Sequence, residues 1–411
     1  MSNYAGYLES ITKLLLSSGL AQIITIVTTI TCARLYSPEN FAYFGIYVAT
    51  ISILLTFSTG RLDLALIQVS SLKEYKKILI SSITILLTSA AIFFAITQFM
   101  YNFNFNQEIL LLIFFGLIAN GICQIYSNLF SSQQRYLEIG LSRIFAAVLF
   151  AIFAISFPFL NIKISLGLIL ASLFSQAMCA IMLIVLSKVP LSYKFIKYFK
   201  SVIIEYKDYW TLDTFSSLLN TFGRQLPLII FPALFGPLVA GYYFFCQRIV
   251  AAPVNLIANS VGNVFRKDAT KEFIENGNFL KIFIFSLTRL FFISIIGVII
   301  VFIVVDENLL IFLFGDEWSG ILNILKMVII FYAFKFVISP LTYSLYIVRK
   351  LHWNLYGQFF YLSCLFTPIL VGSYLGYSPE YIIGLHVLGA CVAYLVYLSM
   401  SYYCAIKGSK I

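Results

Sequence analysis

Four cations stand where a charge is difficult to keep. Arg61, Arg224, Arg248 and Lys335 each interrupt a stretch otherwise apolar enough to enter hydrocarbon, and a charge at bilayer depth costs several kcal/mol even on lenient insertion scales. Side chains of this kind bind anions: a guanidinium forks onto a phosphate or carboxylate, an ammonium acts as a point charge. Helical spacing groups them with neutral polar residues. Asp213, Ser217, Asn220 and Arg224 recur at intervals of four, three and four, so they share a face, with Asp213 about three turns from Arg224. Arg248, Asn255, Asn259 and Asn263 form a second stripe, and Tyr332, Lys335, Ser339, Thr342 and Tyr346 a third. Tyr43, Tyr47, Thr50, Ser58 and Arg61 align in another segment; Ser18, Gln22, Thr25 and Thr29 do so in the first, and Asn120, Gln124 and Asn128 in the fourth.

Helices that each carry a polar stripe must bury those stripes against one another or around water. The pattern predicts a water-filled central cavity. At 1.5 Å per residue, Arg224, Arg248 and Lys335 fall roughly 15–22 Å from the outer ends of their spans, near the midplane, and Arg61 lies deeper on the cytoplasmic side. Only two carboxylates, Asp63 and Asp213, belong to the same set, so part of the positive charge is left for an anionic ligand. A single intramembrane arginine can instead be a packing device, paired with a carboxylate or a helix C-terminal carbonyl. Arg289, whose face is otherwise Phe285, Phe292 and Ile293, reads as snorkelling to the interface, and Lys326 as snorkelling toward Asp316 and Glu317.

The elements that carry these residues follow from composition. Of 411 residues, 61% are hydrophobic and 11% charged, against roughly 45–50% and 25% in soluble globular chains. The chain is an all-α polytopic membrane protein. Twelve apolar stretches, at about 12–33, 41–69, 77–99, 109–130, 142–160, 164–187, 209–235, 238–265, 281–304, 321–346, 353–375 and 380–404, are each long enough to cross a hydrocarbon core roughly 30 Å thick. With a cytoplasmic start, nineteen of the 27 lysines and arginines fall in cytoplasmic segments and two, Arg34 and Lys163, in outside ones. That asymmetry places both termini in the cytoplasm. It also accounts for the formal charge of +10 without a nucleic-acid partner. The basic stretch 188–208 divides a six-helix lobe, 1–187, from a second, 209–411, with the cationic cavity expected between the two lobes. A weak echo of Arg34–Ala49 in Leu234–Gln247 suggests duplication, with the lobes related by an axis along the membrane normal.

Other chemistries lack their residues. There is no G-x-x-x-x-G-K-[ST] phosphate loop, and no cofactor or metal site is implied. The seven cysteines lie in or beside spans without C-x-x-C spacing and read as small buried hydrophobes. His352 falls in a loop, and His386, in the last span, reads as packed. No basic leader with a small-residue cleavage site precedes the first span, which reads as an uncleaved anchor. A membrane polymerase or acyltransferase would place clustered acids, histidine or arginine on a large outside loop, and the longest here is Val304–Ile321. Secondary transport is the better reading, not catalysis.

The stretch "GRQLPLIIFPALFGPLVAGYYFFCQRIVAAPVNLIANSVGNVF", Gly223–Phe265, resembles the bacterial O-antigen and polysaccharide flippases of the multidrug/oligosaccharidyl-lipid/polysaccharide exporter superfamily. "ARLYSPENFAYFGIY", "RLDLAL" and "FGDEW" are similar to other recurrent patches of that family, with Ala42 where a glycine is usual. The resemblance implies a two-lobed transporter that moves an undecaprenyl-diphosphate-linked oligosaccharide between leaflets of the bacterial inner membrane, in lipopolysaccharide or capsule biosynthesis. It also implies a polysaccharide polymerase as a neighbouring partner, while coupling to a proton or sodium gradient stays open. A drug exporter of the same superfamily is the alternative within transport, and would want lumen carboxylates in place of cations.

Overall fold

The computed structural model describes residues 2–69, 71–101, 107–160, 163–189, 197–207, 209–348 and 350–407. Among these, every regular element is helical. Twelve helices have 18 residues or more: α1 Ser2–Ala33, α2 Pro38–Ser58, α3 Leu72–Tyr101, α4 Gln107–Ser132, α5 Tyr136–Ser156, α6 Ile164–Ser187, α7 Thr214–Phe235, α8 Pro237–Asn276, α9 Leu280–Val304, α10 Ile321–Ile338, α11 Leu351–Tyr374 and α12 Pro379–Lys407. Eleven are long and apolar enough to cross a membrane. The exception is α8, whose 40 residues carry Arg248, Asn255, Asn259 and Asn263.

The chain packs as two compact units, residues 1–229 and 230–411. The boundary falls inside α7, beyond the basic stretch 188–208, of which 190–196 and 208 lie outside the described residues. In the first unit α6 packs against α2, α4 and α5, while α1 lies along α5 and α3 along α4. Its core runs through Leu79, Leu86, Leu129 and Phe130, all at or near zero exposure. In the second unit α10 is central, touching α8, α9 and α12, and α11 pairs with α12. The glycines at such contacts let helices approach, as in membrane bundles generally.

Four expected spans differ from the observed helices. The stretch 41–69 is not one helix: α2 ends at Ser58, Thr59 caps it, and Gly60 (φ 57°) takes the left-handed conformation common at the C′ position. Arg61 follows, also left-handed at φ 55°, before a short helix Leu62–Ala65 and a 3₁₀ turn Leu66–Gln68. Arg61 therefore does not share the face of Tyr43, Tyr47 and Ser58. The tenth span breaks after Ile338 into a 3₁₀ turn, Ser339–Thr342, because Pro340 has no N–H to continue the ladder. The regular stripe below Lys335 stops there. A π-type turn, Tyr209–Asp213, precedes α7, which then runs without interruption through Pro227. The eighth span extends eleven residues further than hydropathy indicates, to Asn276, with Pro253 in its interior.

Near the start of α10 an aromatic nest closes one end of the second unit. Trp318 is fully buried, with its ring 4.2 Å from Phe245 and 5.9 Å from Tyr242. The Tyr242 hydroxyl lies 3.0 and 2.8 Å from the carbonyls of Glu317 and Ser319, and its one proton is shared between them. The loop thus follows α8 rather than solvent. Tyr242→Phe leaves both carbonyls short of a donor in a half-buried site, a loss of about 1 kcal/mol. Thermal unfolding of the detergent-solubilised protein should shift down by about 2–4 °C, and an unchanged midpoint would show that water replaces the hydroxyl.

Candidate functional site

The short segment after α2 holds the most completely built polar cluster in the first unit. Asp63 is 0% exposed. One carboxylate oxygen accepts from Thr59 Oγ1 at 2.6 Å; the other accepts from Gln124 Nε2 at 2.9 Å and Asn128 Nδ2 at 2.7 Å. Every contact uses Asp63 as acceptor and every donor is neutral, so the buried charge is satisfied by hydrogen bonds. Asp63 and Gln124, both expected at the cavity, are bound to each other, because Gln124 and Asn128 are one helical turn apart on α4 and face the segment together. Thr59 was not legible as part of the site, although Thr59–Asp63 has the four-residue spacing that permits the bond. Asn120, one turn earlier, donates to the carbonyl of Gly116 in its own helix at 2.8 Å. Gln22, on α1, is half-buried. Arg61 is half-buried at the start of the segment.

On α7 the stripe is graded. Ser217 is half-buried, while Asn220 and Arg224 are exposed; the side chain of Asp213 lies outside the described residues. The helix is held on the same face by Thr221, whose hydroxyl donates to Ser217 O at 2.8 Å and lies 3.2 Å from Thr56 Oγ1 of α2. Arg224 makes no ion pair or hydrogen bond among the described residues. Loop cations behave otherwise: Arg135 pairs with Glu138 at 2.8 Å and Lys163 with Glu108 at 2.6 Å. Twelve residues separate Arg224 from Gly236, the glycine (φ 82°) that joins α7 to α8, which puts it about 17 Å along its helix.

In the second unit Arg248 stands twelve residues beyond Gly236, again about 17 Å along its helix. Arg248 and Asn255 are half-buried; Asn259 and Asn263 are exposed. Lys335, half-buried on α10, carries its ammonium 5.2 Å from the ring centre of Tyr332, a cation–π contact that holds the charge over a buried tyrosine. Lys326 does not reach Asp316 or Glu317. Its ammonium sits 5.6 Å from the ring of Phe302 on α9 instead, since that part of α10 faces α9. Arg289 is exposed among the exposed Phe285, Phe292 and Ile293.

His386 is buried in the same unit. Its Nδ1 lies 3.1 Å from the carbonyl of Leu365, which can only accept, so the proton is on Nδ1; Nε2 then receives the Tyr243 hydroxyl at 3.4 Å. Phe231 packs edge-on to the ring at 5.7 Å. Both ring nitrogens are occupied and the residue is a packing element. A cavity of about 310 Å³ between α9, α10 and α12, lined by Phe291, Ile295, Phe334 and Leu395 among others, is apolar. The Ser294 hydroxyl on its wall turns to the carbonyl of Ala333 at 3.3 Å.

The all-helical fold of the chain matches solved structures. The lipid II flippase MurJ, in an inward closed conformation, matches with a TM-score of 0.73 and 16% identity over 94% of this chain and 87% of its own. The eukaryotic MATE transporter AtDTX14 matches at 0.60 and 14% over 98% and 99%, and a MOP superfamily transporter from Pyrococcus furiosus, described as having a binding pocket of reversed polarity, at 0.58 and 11% over 98% and 96%. At these identities the likeness is one of fold. Curated protein sequences give no match. Residues 31–323 match the family of polysaccharide biosynthesis proteins, and the chain belongs to it.

Proposed function

We propose that the chain is a flippase that carries an undecaprenyl-diphosphate-linked oligosaccharide, an O-antigen or capsule-type repeat unit, from the cytoplasmic to the periplasmic leaflet of the bacterial inner membrane by alternating access. Arg224 carries the reading. It is an exposed guanidinium without an ion pair among the described residues, deep along an apolar helix, in a chain whose family makes polysaccharides. An anion with two phosphates suits it, because a guanidinium forks onto phosphate oxygens and each such charged hydrogen bond is about twice as strong as a neutral one. MurJ, whose fold the chain shares, is described as flipping lipid II, and a lipid-linked glycan is the corresponding cargo here. Arg61, Arg248 and Lys335 serve the same diphosphate at successive stages of the cycle, while Asn255, Asn259, Asn220 and Ser217 read the sugar hydroxyls. Both termini are cytoplasmic, and the delivered repeat passes to a polysaccharide polymerase.

The test is complementation. A strain lacking its own flippase, supplied with the glycan genes that match this one, should regain surface polysaccharide when the chain is expressed and lose the lipid-linked intermediate it otherwise accumulates. Persistent accumulation with the protein present in the membrane refutes the reading. Purified protein that lengthens or acylates a glycan would assign it to a polymerase or acyltransferase instead.

A further inference from the structure

Arg61 is one of three non-glycine residues with positive φ among the described residues, and a left-handed L-residue costs about 1–2 kcal/mol. Such strain persists only where the surroundings over-determine it, and it clusters at functional positions. The surroundings here are unusually complete. Gly60 before it is left-handed as well, and a Cβ at Gly60 would meet Ile85 Cδ1 at 3.2 Å. Leu62, Ala65 and Leu66 after it are fully buried in the core of the first unit. Asp63, two residues on, is tied at one oxygen to Thr59 at the end of α2 and at the other to Gln124 and Asn128 of α4. The carboxylate therefore bridges both sides of the left-handed pair to a neighbouring helix.

We infer that Asp63 is a positioning residue: with Thr59, Gln124 and Asn128 it holds the segment 59–65 so that Arg61 keeps its left-handed turn and presents its guanidinium to the anionic headgroup. The inference rests on the substrate-binding role proposed for Arg61. Its chemistry favours a carboxylate, which accepts all three hydrogen bonds with its charge strengthening each. An asparagine at 63 can keep the three contacts in one orientation, its Oδ1 accepting from Gln124 and Asn128 and its Nδ2 donating to Thr59 Oγ1, but it makes every one of them a neutral bond. Moving the carboxylate to the other side, with Asp63→Asn and Asn128→Asp together, restores a charge-assisted bond, the amide introduced at 63 donating to the carboxylate introduced at 128.

The readouts are hydrogen exchange of the peptide covering 59–68 in the purified full chain, and export in the complementation strain. Asp63→Asn should speed exchange in that peptide about tenfold, because three hydrogen bonds to a carboxylate become neutral bonds of about half the strength, with other helices unchanged. It should lower export by a similar factor. Adding Asn128→Asp should recover most of both, and Asp63→Asn should cause no further loss of export in an Arg61→Ala background. Asn128→Ala, a milder variant, keeps the test available if Asp63→Asn does not accumulate, and should raise exchange less. Unchanged exchange in 59–68 overturns the inference. So does normal export by Asp63→Asn while Arg61→Ala fails, because Asp63 then does not act through Arg61. Faster exchange with normal export by both Asp63→Asn and Arg61→Ala overturns the binding role of Arg61, and with it the positioning claim, but leaves Arg224 and the flippase reading standing.

Discussion

Arg224→Ala should lower surface polysaccharide by at least about a hundredfold in the complementation assay, with the protein level unchanged. Removing a charge-assisted contact to phosphate costs a few kcal/mol, and each 1.4 kcal/mol is a factor of ten in affinity. Arg224→Lys keeps the charge but loses the fork, so it should retain part of the activity; Arg224→Gln should resemble alanine. The order Arg, Lys, Gln, Ala separates this account from a packing role. Arg224 is exposed and makes no ion pair or hydrogen bond among the described residues, so its truncation removes little buried packing, and alanine is a better helix former than arginine. Normal export by Arg224→Ala would leave the anionic-substrate reading without its best residue. Asn255→Ala and Asn259→Ala should be milder and act on which oligosaccharide is accepted.

Gly389→Leu should prevent the second unit from folding. Gly389 lies on α12 where it crosses α11, and a Cβ there would overlap the backbone carbonyl of Cys364 and meet Pro368 Cγ at 3.5 Å. Backbone cannot turn aside as a flexible side chain can, so the helices must separate. Overpacking of a fitted interface typically costs about 1–3 kcal/mol and more where backbone must shift. The same contact positions His386, one helical turn earlier, against Leu365 O. Little or no protein should be recovered in the membrane, and Gly389→Ala should be intermediate. By contrast, a Cβ added at Gly297 would meet only open space, and Gly297→Ala should leave the protein level unchanged. Wild-type accumulation of Gly389→Leu would mean that α11 and α12 do not need this approach.

Much of the architecture is legible in the sequence because a bilayer leaves few options. Long apolar runs must become helices, since no other open structure satisfies its backbone in hydrocarbon, and eleven of the twelve expected spans are helices apolar enough to cross. The twelfth, α8, is the one that polar residues dilute, so its helical spacing and not its hydropathy reveals it. Where the spans end is less legible. The turns at Gly60 and Pro340 follow rules of backbone geometry, but hydropathy runs through both, and so spacing alone puts Arg61 and the residues beyond Lys335 on faces they do not share with their neighbours.

The sequence by itself determined the class of the protein, the number of its long helices and the presence of cations among apolar residues, because each of these is local and is imposed by the solvent the chain must enter. Which of those polar residues hydrogen-bond one another was decided by tertiary structure alone. Asp63 and Gln124 have the same sequence signature as Arg224, a polar residue on an apolar segment, yet they hydrogen-bond each other across 61 positions of chain while Arg224 remains exposed. A hydrogen bond depends on direction and on a distance near 3 Å, and neither is written in the spacing of residues along one helix. It is set by how α4 packs beside the segment after α2, and that packing turns the Asp63 carboxylate into a tie between α2 and α4.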